Sequence, residues 1–218
     1  MYTHVIFDLD GTLLDTLEDL HQSVNQALCS FGYPTRSLAE VRSFVGNGVG
    51  RLVALSVPAG TSSAQEALCL ARFKEIYSQH CHDHTRPYPY IKELLTHLKS
   101  AGVGVGIVSN KFDGAVKALA DLYFDGLVDV AVGEREDQGV RKKPYPDTVF
   151  EAMAQMGASP DTCVYVGDSE VDVQTSLNAG LSCLCVTWGF RTPDQLKEAG
   201  ATHLFDTAQE LEKYLISL

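Results

Sequence analysis

Apolar residues in the second half of the chain alternate between short continuous runs and longer stretches with helical spacing. The continuous runs are typical of strands buried on both faces, and they predict strands at His4–Phe7, Val103–Val108, Leu127–Val132, Thr162–Val166, Leu181–Thr187 and His203–Phe205. Helical spacing predicts the intervening helices, at Ile91–Lys99, Ala115–Leu122, Asp147–Met156, Val171–Asn178, Pro193–Glu198 and Ala208–Ser217. Strands that alternate with helices in this way indicate a parallel sheet covered by helices.

Only helical patterns occur between the first two predicted strands. They predict helices at Thr16–Phe31, Leu38–Val45, Gly48–Val57 and Ser62–Cys81, with Asp15 or Thr16 as the first N-cap. We therefore expect an α/β protein with two domains. Residues 1–14 and 86–218 would form a Rossmann-like parallel-sheet core with helices on both faces, and residues 15–85 an inserted all-helical domain. The hinges would lie near residues 13–16 and 82–88.

The charge balance narrows the classes of partner. The 218 residues include 17 basic and 28 acidic side chains, a net charge of −11, which disfavours nucleic acid and anionic membranes as partners. The first residues lack the basic start and apolar core of a secretory signal, and no apolar run approaches the roughly 20 residues of a membrane span. Six scattered cysteines indicate reduced thiols. We therefore expect a cytoplasmic protein.

Polar residues follow four of the predicted strands, where an open parallel sheet binds its ligands. They are Asp8 and Asp10, Ser109 and Asn110, Lys143, and Asp168 and Asp172. Several carboxylates at one sheet edge repel one another unless a hard divalent cation lies among them, and Mg²⁺ is the natural candidate. A lysine facing that cation would hold a phosphoryl group, and a carboxylate could then attack the phosphorus atom. Taken singly, each motif is also typical of a turn, a helix N-cap or a surface lysine.

These motifs together resemble the haloacid dehalogenase-like superfamily of phosphatases. The resemblance covers nearly the whole chain and rests on Asp8-Leu9-Asp10-Gly11-Thr12, Ser109-Asn110, Lys143-Pro144-Tyr145-Pro146 and Gly167-Asp168-Ser169-Glu170-Val171-Asp172, in the family's order. The segments Phe44–Gly48 and Val186–Gly189 are similar to the phosphoglycolate phosphatase branch. The resemblance implies a Mg²⁺-dependent phosphatase for a small phosphorylated metabolite, with 2-phosphoglycolate as the first candidate.

The resemblance also implies a role for each residue. Asp8 would attack phosphorus and form an aspartyl-phosphate, while Asp10 would protonate the leaving oxygen and later activate water. The metal would be held by the Asp8 carboxylate, the Asp10 backbone carbonyl and Asp168, with Asp172 as a support. The residues implied to bind phosphate are Ser109, Asn110 and Lys143. Thr12 is expected to hydrogen-bond Asp10.

The helical insert would be the cap that closes over the site and selects the leaving group. Its most suggestive loop contains Gly46, Asn47, Gly48 and Arg51, where we expect substrate contacts. The segment His80-Cys81-His82-Asp83-His84 also holds metal-ligating types, but its spacing at a helix end would spread them apart.

Four other functions remain open at the level of sequence. The same core serves sugar-phosphate mutases of the β-phosphoglucomutase type, in which the phosphate on Asp8 returns to the substrate. It also serves pyrophosphatases and nucleotidases, and a fold alone never proves activity, so a non-catalytic phosphometabolite-binding protein is a further alternative. The oligomeric state is expected to be a monomer or a homodimer.

Overall fold

The protein is described by a computed structural model that covers residues 2–216. The end of the last predicted helix, at Ser217, lies outside these residues. The chain divides into two compact units, one formed by the residues up to Leu14 together with those from Pro87 onward, the other by Asp15–Arg86.

The first unit is built on a sheet of six parallel strands. The strands of the chain are β1 (His4–Phe7), β2 (Leu14–Asp15), β3 (Arg86–Pro87), β4 (Gly104–Phe112), β5 (Val130–Glu134), β6 (Cys163–Gly167), β7 (Ser182–Val186) and β8 (His203–Phe205). The six-stranded sheet has the order β5-β4-β1-β6-β7-β8, and all its pairs are parallel. This confirms the predicted α/β fold.

Helices connect the strands of this sheet in the predicted alternation. The first unit contains α5 (Ile91–Ser100), α6 (Asp113–Phe124), α7 (Asp147–Met156), α8 (Glu170–Ala179), α9 (Pro193–Glu198) and α10 (Ala208–Ile216); the second contains α1 (Leu17–Ser30), α2 (Leu38–Phe44), α3 (Gly48–Ser56) and α4 (Ser63–His80). No helix among residues 2–216 is both long and apolar enough to cross a membrane.

Strand β1 lies at the centre of the sheet because its side chains are apolar on both faces. Val5, Ile6 and Phe7 are fully buried, and each pairs with a residue of β4 on one side and of β6 on the other. The chain moves to one side of β1 for β4 and β5, then to the other side for β6, β7 and β8. The carboxyl end of β1 is therefore the switch point where such a sheet forms its ligand site.

Two strand boundaries differ from the predictions by more than two residues, and two short strands are additional. β4 continues four residues beyond the predicted end at Val108, through polar residues, and its register with β5 shifts between Val108 and Phe112. β5 begins at Val130 because Leu127 still belongs to a turn, in which its N–H bonds the carbonyl of Phe124. The two-residue strands β2 and β3, which pair with each other where the chain passes between the units, have no apolar run and were not predicted.

The second unit consists of the four helices α1–α4, all within the predicted segments. Its buried side chains recur at helical spacing, as Leu20, Val24, Ala27 and Leu28 do in α1. Helix α2 begins at a capping box in which Ser37 and Glu40 bond each other's backbone N–H. Of the two predicted N-caps of α1, Thr16 occupies the N-cap position but its side chain makes no capping hydrogen bond, whereas Asp15 Oδ1 accepts the N–H of Leu17 at 3.4 Å.

Candidate active site

Three neighbouring strands bring the predicted acids to one edge of the sheet. Asp8 follows β1 directly and Asp168 follows β6 directly, while Ser109 lies in the irregular end of β4. The N–H of Asp8 bonds the carbonyl of Val166 at 2.8 Å, so the backbone after β1 continues the ladder with β6. The site is consequently carried by the centre of the sheet.

A buried lysine joins two of these carboxylates. Lys143 Nζ lies 2.6 Å from Asp8 Oδ1 and 2.7 Å from Asp172 Oδ1, and it also donates to the Tyr165 hydroxyl at 3.1 Å. Tyr165 in turn donates to Asp172 Oδ1 at 3.2 Å. All four side chains are buried. Tyr165 was not predicted as a site residue, because in the sequence it belongs to the apolar run of β6.

The amide of Asn110 fixes the backbone of Lys143. Its Nδ2 donates to the Lys143 carbonyl at 3.1 Å, and its Oδ1 accepts from the Lys143 N–H at 2.8 Å. Asn110 therefore ties the loop before α7 to the end of β4. These hydrogen bonds show that the Asn110 side chain positions Lys143. The predicted contact between Asn110 and phosphate stays a prediction.

Asp172 is saturated with hydrogen bonds. Besides Lys143 and Tyr165 on Oδ1, its Oδ2 accepts from the N–H of Asp168 at 3.2 Å and from the N–H and hydroxyl of Ser169 at 3.1 and 2.6 Å. A carboxylate offers about four lone-pair sites, and five donors already share them. Asp172 thus acts as a support that orients Lys143 and the loop of Asp168.

Asp168 is enclosed by backbone. Its Oδ2 accepts from the N–H of Phe190 at 2.6 Å, and its Oδ1 accepts from the Thr12 hydroxyl at 3.2 Å. A Cβ added to Gly11 would lie 2.5 Å from Oδ2 of Asp168, and one added to Gly189 would lie 2.3 Å from it. The expectation that Thr12 bonds Asp10 is wrong, because the turn after β1 directs its hydroxyl toward β6.

Asp10 faces a second lysine, Lys111, which sequence reasoning missed. Lys111 Nζ lies 2.8 Å from Asp10 Oδ1, and the Ser109 hydroxyl donates to Asp10 Oδ2 at 3.4 Å. The Lys111 side chain is only 2% exposed. Ser109 and Lys111 are two residues apart at the end of β4, so strand alternation turns both toward Asp10 and turns Asn110 away. That alternation was the available signal, but it required knowing that β4 continues past Val108.

Burial and mutual repulsion perturb the ionisation of this cluster. Burial raises the pKa of Asp8 well above its usual value despite the attraction of Lys143. Burial, followed by the charge of Asp172, raises the pKa of Asp168 from 3.8 to about 7. Burial by itself would lower the pKa of Lys143, but the adjacent carboxylates of Asp172 and Asp8 outweigh it and hold that pKa well above its usual value.

The donor set fits Mg²⁺. Asp8, Asp168 and Asp172 each offer a carboxylate oxygen, and these oxygens lie within 4.8 Å of one another. With Asp10 the cluster has four carboxyl groups against the two ammonium groups of Lys111 and Lys143, so full ionisation, which a bound cation would favour, leaves two negative charges. Buried oxygen donors with an excess of two negative charges suit a small hard dication. Since Asp172 is saturated, Asp8 and Asp168 are the side chains best placed to act as ligands.

The predicted cap residues lie in the second unit. Gly46 and Gly48 have left-handed φ values of 123° and 82°, and Asn47 between them is the N-cap of α3, on whose exposed face Arg51 lies. In the segment 80–84, His80 pairs with Asp83 and His84 with Asp19. Among residues 2–216, the three buried aspartates are the one group of at least three such side chains that could hold a metal ion.

Comparison with known proteins places the chain in a family context. Residues 5–186 match the family model of haloacid dehalogenase-like hydrolases. The chain is similar to phosphoglycolate phosphatase 1 of Pseudomonas aeruginosa, with 31% identity over 95% of this chain and 77% of that relative. It is equally similar to phosphoglycolate phosphatase of Vibrio parahaemolyticus, with 31% identity over 95% of this chain and 93% of that relative.

The fold is shared with a solved structure over almost its full length. A crystal structure from Lactobacillus delbrueckii subsp. bulgaricus, assigned provisionally to the phosphoglycolate phosphatases, is 35% identical and superposes with a TM-score of 0.92. The match covers 98% of each chain. Sequence and fold therefore point to the same family.

Proposed function

The chain belongs to the haloacid dehalogenase-like hydrolases and is a phosphomonoester hydrolase, and from that premise we propose that it hydrolyses 2-phosphoglycolate with Mg²⁺ through an aspartyl-phosphate. The observation that carries the proposal is the placement of Asp8. Its carboxylate follows the central strand, is buried, and is held at 2.6 Å by Lys143 Nζ beside Asp168. A carboxylate so fixed is a nucleophile in position for an incoming phosphoryl group.

In the first step, an oxygen of Asp8 attacks phosphorus and the ester bond to the leaving oxygen breaks. The proton of a protonated Asp10 passes to the leaving oxygen, so the alcohol departs neutral. Asp10 is suited to this role because it is two residues from the nucleophile and Ser109 and Lys111 orient its carboxyl group. Such proton transfer contributes about 10²- to 10⁴-fold in rate.

In the second step, water replaces the alcohol. Asp10, now ionised, takes a proton from that water as the water oxygen attacks phosphorus. The bond between Asp8 and phosphorus breaks, and the carboxylate returns to Lys143. Inorganic phosphate then leaves.

Charge neutralisation accompanies both steps. Lys143, which contacts the Asp8 carboxylate, would bind phosphoryl oxygens, and the Ser109 hydroxyl, which donates to Asp10, would bind another. Asp8, Asp168 and the backbone carbonyl of Asp10 would hold Mg²⁺, which when bound neutralises charge on the phosphoryl group. Positioning and electrostatics dominate phosphoryl transfer, so these residues supply most of the expected rate enhancement.

The choice of substrate rests on the relatives. Those of Pseudomonas aeruginosa and Vibrio parahaemolyticus are named phosphoglycolate phosphatases. The helical unit Asp15–Arg86 would be the cap that excludes water and selects the leaving group. Within it, Gly46, Asn47, Gly48 and Arg51 at the start of α3 would contact the substrate.

The other expected partners stay within the same proposal. The protein would act as a monomer or homodimer on a small metabolite, without nucleic acid or membrane. The six cysteines are free thiols, which suits a cytoplasmic location.

The decisive experiment measures phosphate release from 2-phosphoglycolate, sugar phosphates, nucleotides and pyrophosphate, with Mg²⁺ or EDTA. We expect release from 2-phosphoglycolate that requires Mg²⁺ and is lost in Asp8→Asn. Asp194→Asn, whose side chain is 90% exposed, is the matched control and should keep full activity. Isomerised sugar phosphate with little free phosphate would indicate a mutase instead. Faster phosphate release from pyrophosphate or nucleotides would indicate a pyrophosphatase or a nucleotidase. No phosphate release from any compound would favour a non-catalytic binding protein.

A further inference from the structure

Lys111 is a buried cation on the leaving-group side of the site. Its side chain is 2% exposed, and its Nζ lies 2.8 Å from the oxygen of Asp10. Burying an ammonium group is unfavourable unless a charged partner offsets the lost hydration. Orienting one carboxylate could be done by neutral donors such as the nearby Ser109 hydroxyl. The charge of Lys111 also suits a negatively charged group of the substrate, because hydrogen bonds between charged groups are stronger than neutral ones.

The two lysines of the site pair with different aspartates. Lys143 pairs with the nucleophile Asp8 and lies among Asp172 and Tyr165, where the transferring phosphoryl group would bind. Lys111 pairs with Asp10, the residue proposed to protonate the leaving oxygen. Because Asp10 must be within hydrogen-bond distance of that oxygen, Lys111 lies within reach of groups attached one or two bonds beyond it.

We infer that Lys111 is a specificity residue that recognises a carboxylate on the leaving group. When an ester with such a carboxylate binds, the Lys111 ammonium group leaves Asp10 and pairs with the substrate. The inference rests on the proposed phosphatase function and deepens it. Lysine is a compact point charge on a flexible stem, so it can change partners without rearranging the backbone. A substrate carboxylate two bonds from the ester oxygen, as in 2-phosphoglycolate, would replace the Asp10 carboxylate as its counter-ion.

Charge supports this assignment. The chain carries a net charge of −11, and a trianionic substrate needs local cations to enter a site lined by four aspartates. The buried cationic side chains among residues 2–216 are Lys111, Lys143 and Arg191. Arg191 is held in a two-pronged ion pair by Glu170, at 2.7 and 3.0 Å. Lys111 is thus the buried cation beside the leaving-group position.

The test compares two esters that differ only in this carboxylate. Values of kcat/KM are measured for 2-phosphoglycolate and for ethyl phosphate, which has a methyl group in its place. We expect the wild type to prefer 2-phosphoglycolate by about 30-fold or more, the effect of one charged hydrogen bond. Lys111→Met should reduce the preference to about threefold or less, and Lys111→Arg should restore most of it. Lys142→Met, which alters a half-buried lysine paired with Glu136, should change neither value.

The outcomes separate the possible failures. An equal loss for both esters in Lys111→Met would show that Lys111 only positions Asp10 and would overturn the inference. A wild-type preference below about threefold would overturn it without any variant, so the test holds even if Lys111→Met does not fold. In both cases hydrolysis of ethyl phosphate leaves the proposed phosphatase standing. Failure to hydrolyse any ester would instead reject the proposed function.

Discussion

Each of the two aspartates that follow β1 has a lysine of its own, and the pairings differ in what surrounds them. Asp8 and Lys143 belong to a network closed by Tyr165 and Asp172, so the proposed nucleophile is held from several directions. The carboxyl group of Asp10 contacts the Ser109 hydroxyl and the Lys111 ammonium group, and its side chain is 13% exposed. A fixed nucleophile and a more accessible acid match the two proposed tasks.

Tyr165→Phe tests how much the network depends on its neutral member. The change removes one hydroxyl while Lys143 and Asp172 keep their direct contact at 2.7 Å. We expect a loss of about 2 kcal/mol in the free energy of unfolding, because the hydroxyl's hydrogen bonds to Lys143 and Asp172 are both lost, and a decrease in kcat of less than about tenfold. Denaturant melts and steady-state kinetics measure both. Tyr145→Phe, at a residue 51% exposed, is the control; an inactive Tyr165→Phe would show that the hydroxyl takes part in the reaction.

Gly189→Ala tests the enclosure of Asp168. The added Cβ would lie 2.3 Å from Asp168 Oδ2 and 2.4 Å from the carbonyl oxygen of Gly11, so the carboxylate must move. Because a displacement of about 1 Å costs about 10²-fold in rate, we expect activity to fall by at least that factor. Half-maximal activity should also require a higher Mg²⁺ concentration. Gly114→Ala in α6, where a Cβ meets nothing within 4 Å, should leave activity unchanged. Equal activity in the two variants would contradict the proposed role of Asp168.

At the scale of elements, the start of α8 combines a helix cap with hydrogen bonds to the proposed active site. Ser169 is the N-cap, and its hydroxyl donates to Asp172, whose Oδ2 also accepts the N–H of Ser169. The same carboxylate receives Lys143 on its other oxygen. The cap that fixes the helix therefore also fixes the lysine.

Ser169→Ala and Ser37→Ala form a matched pair that separates these tasks. Both serines open a helix through a capping box, Ser169 in α8 and Ser37 in α2. Each change should cost about 1 kcal/mol in the free energy of unfolding. We expect only Ser169→Ala to lower kcat, since only Ser169 bonds Asp172. Thermal melts and kinetics on both variants check this, and a comparable loss of kcat in Ser37→Ala would refute the assignment.

Apolar periodicity was enough to predict the helices and the six strands of the sheet, and the motifs identified the acids at its edge. It was not enough for β4, because the strand continues through Ser109, Asn110 and Lys111, whose polar side chains hide it. Lys111 was missed for that reason. The partner of Thr12 was also beyond the sequence, since the direction of a hydroxyl depends on how the turn packs against Asp168. Pairings between distant segments require the folded backbone.

At the scale of the whole molecule, the order of the strands brings charged residues that are distant in sequence together at one edge of the sheet. Asp8, Lys143 and Phe190 are far apart along the chain, yet each contacts the same cluster through its own loop. The protein has a net charge of −11, and the cluster adds buried carboxylates whose repulsion the fold must sustain. A cost of this kind should be visible as a dependence of stability on pH and on Mg²⁺.

The free energy of unfolding of the metal-free protein should depend on pH through the ionisation of Asp168. Burial, then Asp172, raises the pKa of Asp168 to about 7 in the folded state, from 3.8. Below about pH 4 the group is protonated in both states and imposes no penalty. As the pH rises toward 7 the unfolded chain loses this proton first, so the contribution of Asp168 to stability falls across that window and is constant above it.

Denaturant unfolding from pH 4 to 8 in EDTA measures this contribution as the difference between wild type and Asp168→Asn. The difference is needed because other acids, such as Asp113 and Asp129, have lowered pKa values and act in the opposite direction. Relative to Asp168→Asn, the wild type should lose stability as the pH rises, whereas Asp194→Asn should follow the wild type. Adding Mg²⁺ at pH 7 should stabilise the wild type more than Asp168→Asn, because a cation that binds only the folded state shifts the equilibrium toward it. Parallel profiles with no Mg²⁺ effect would mean that the three buried aspartates do not form a cation site.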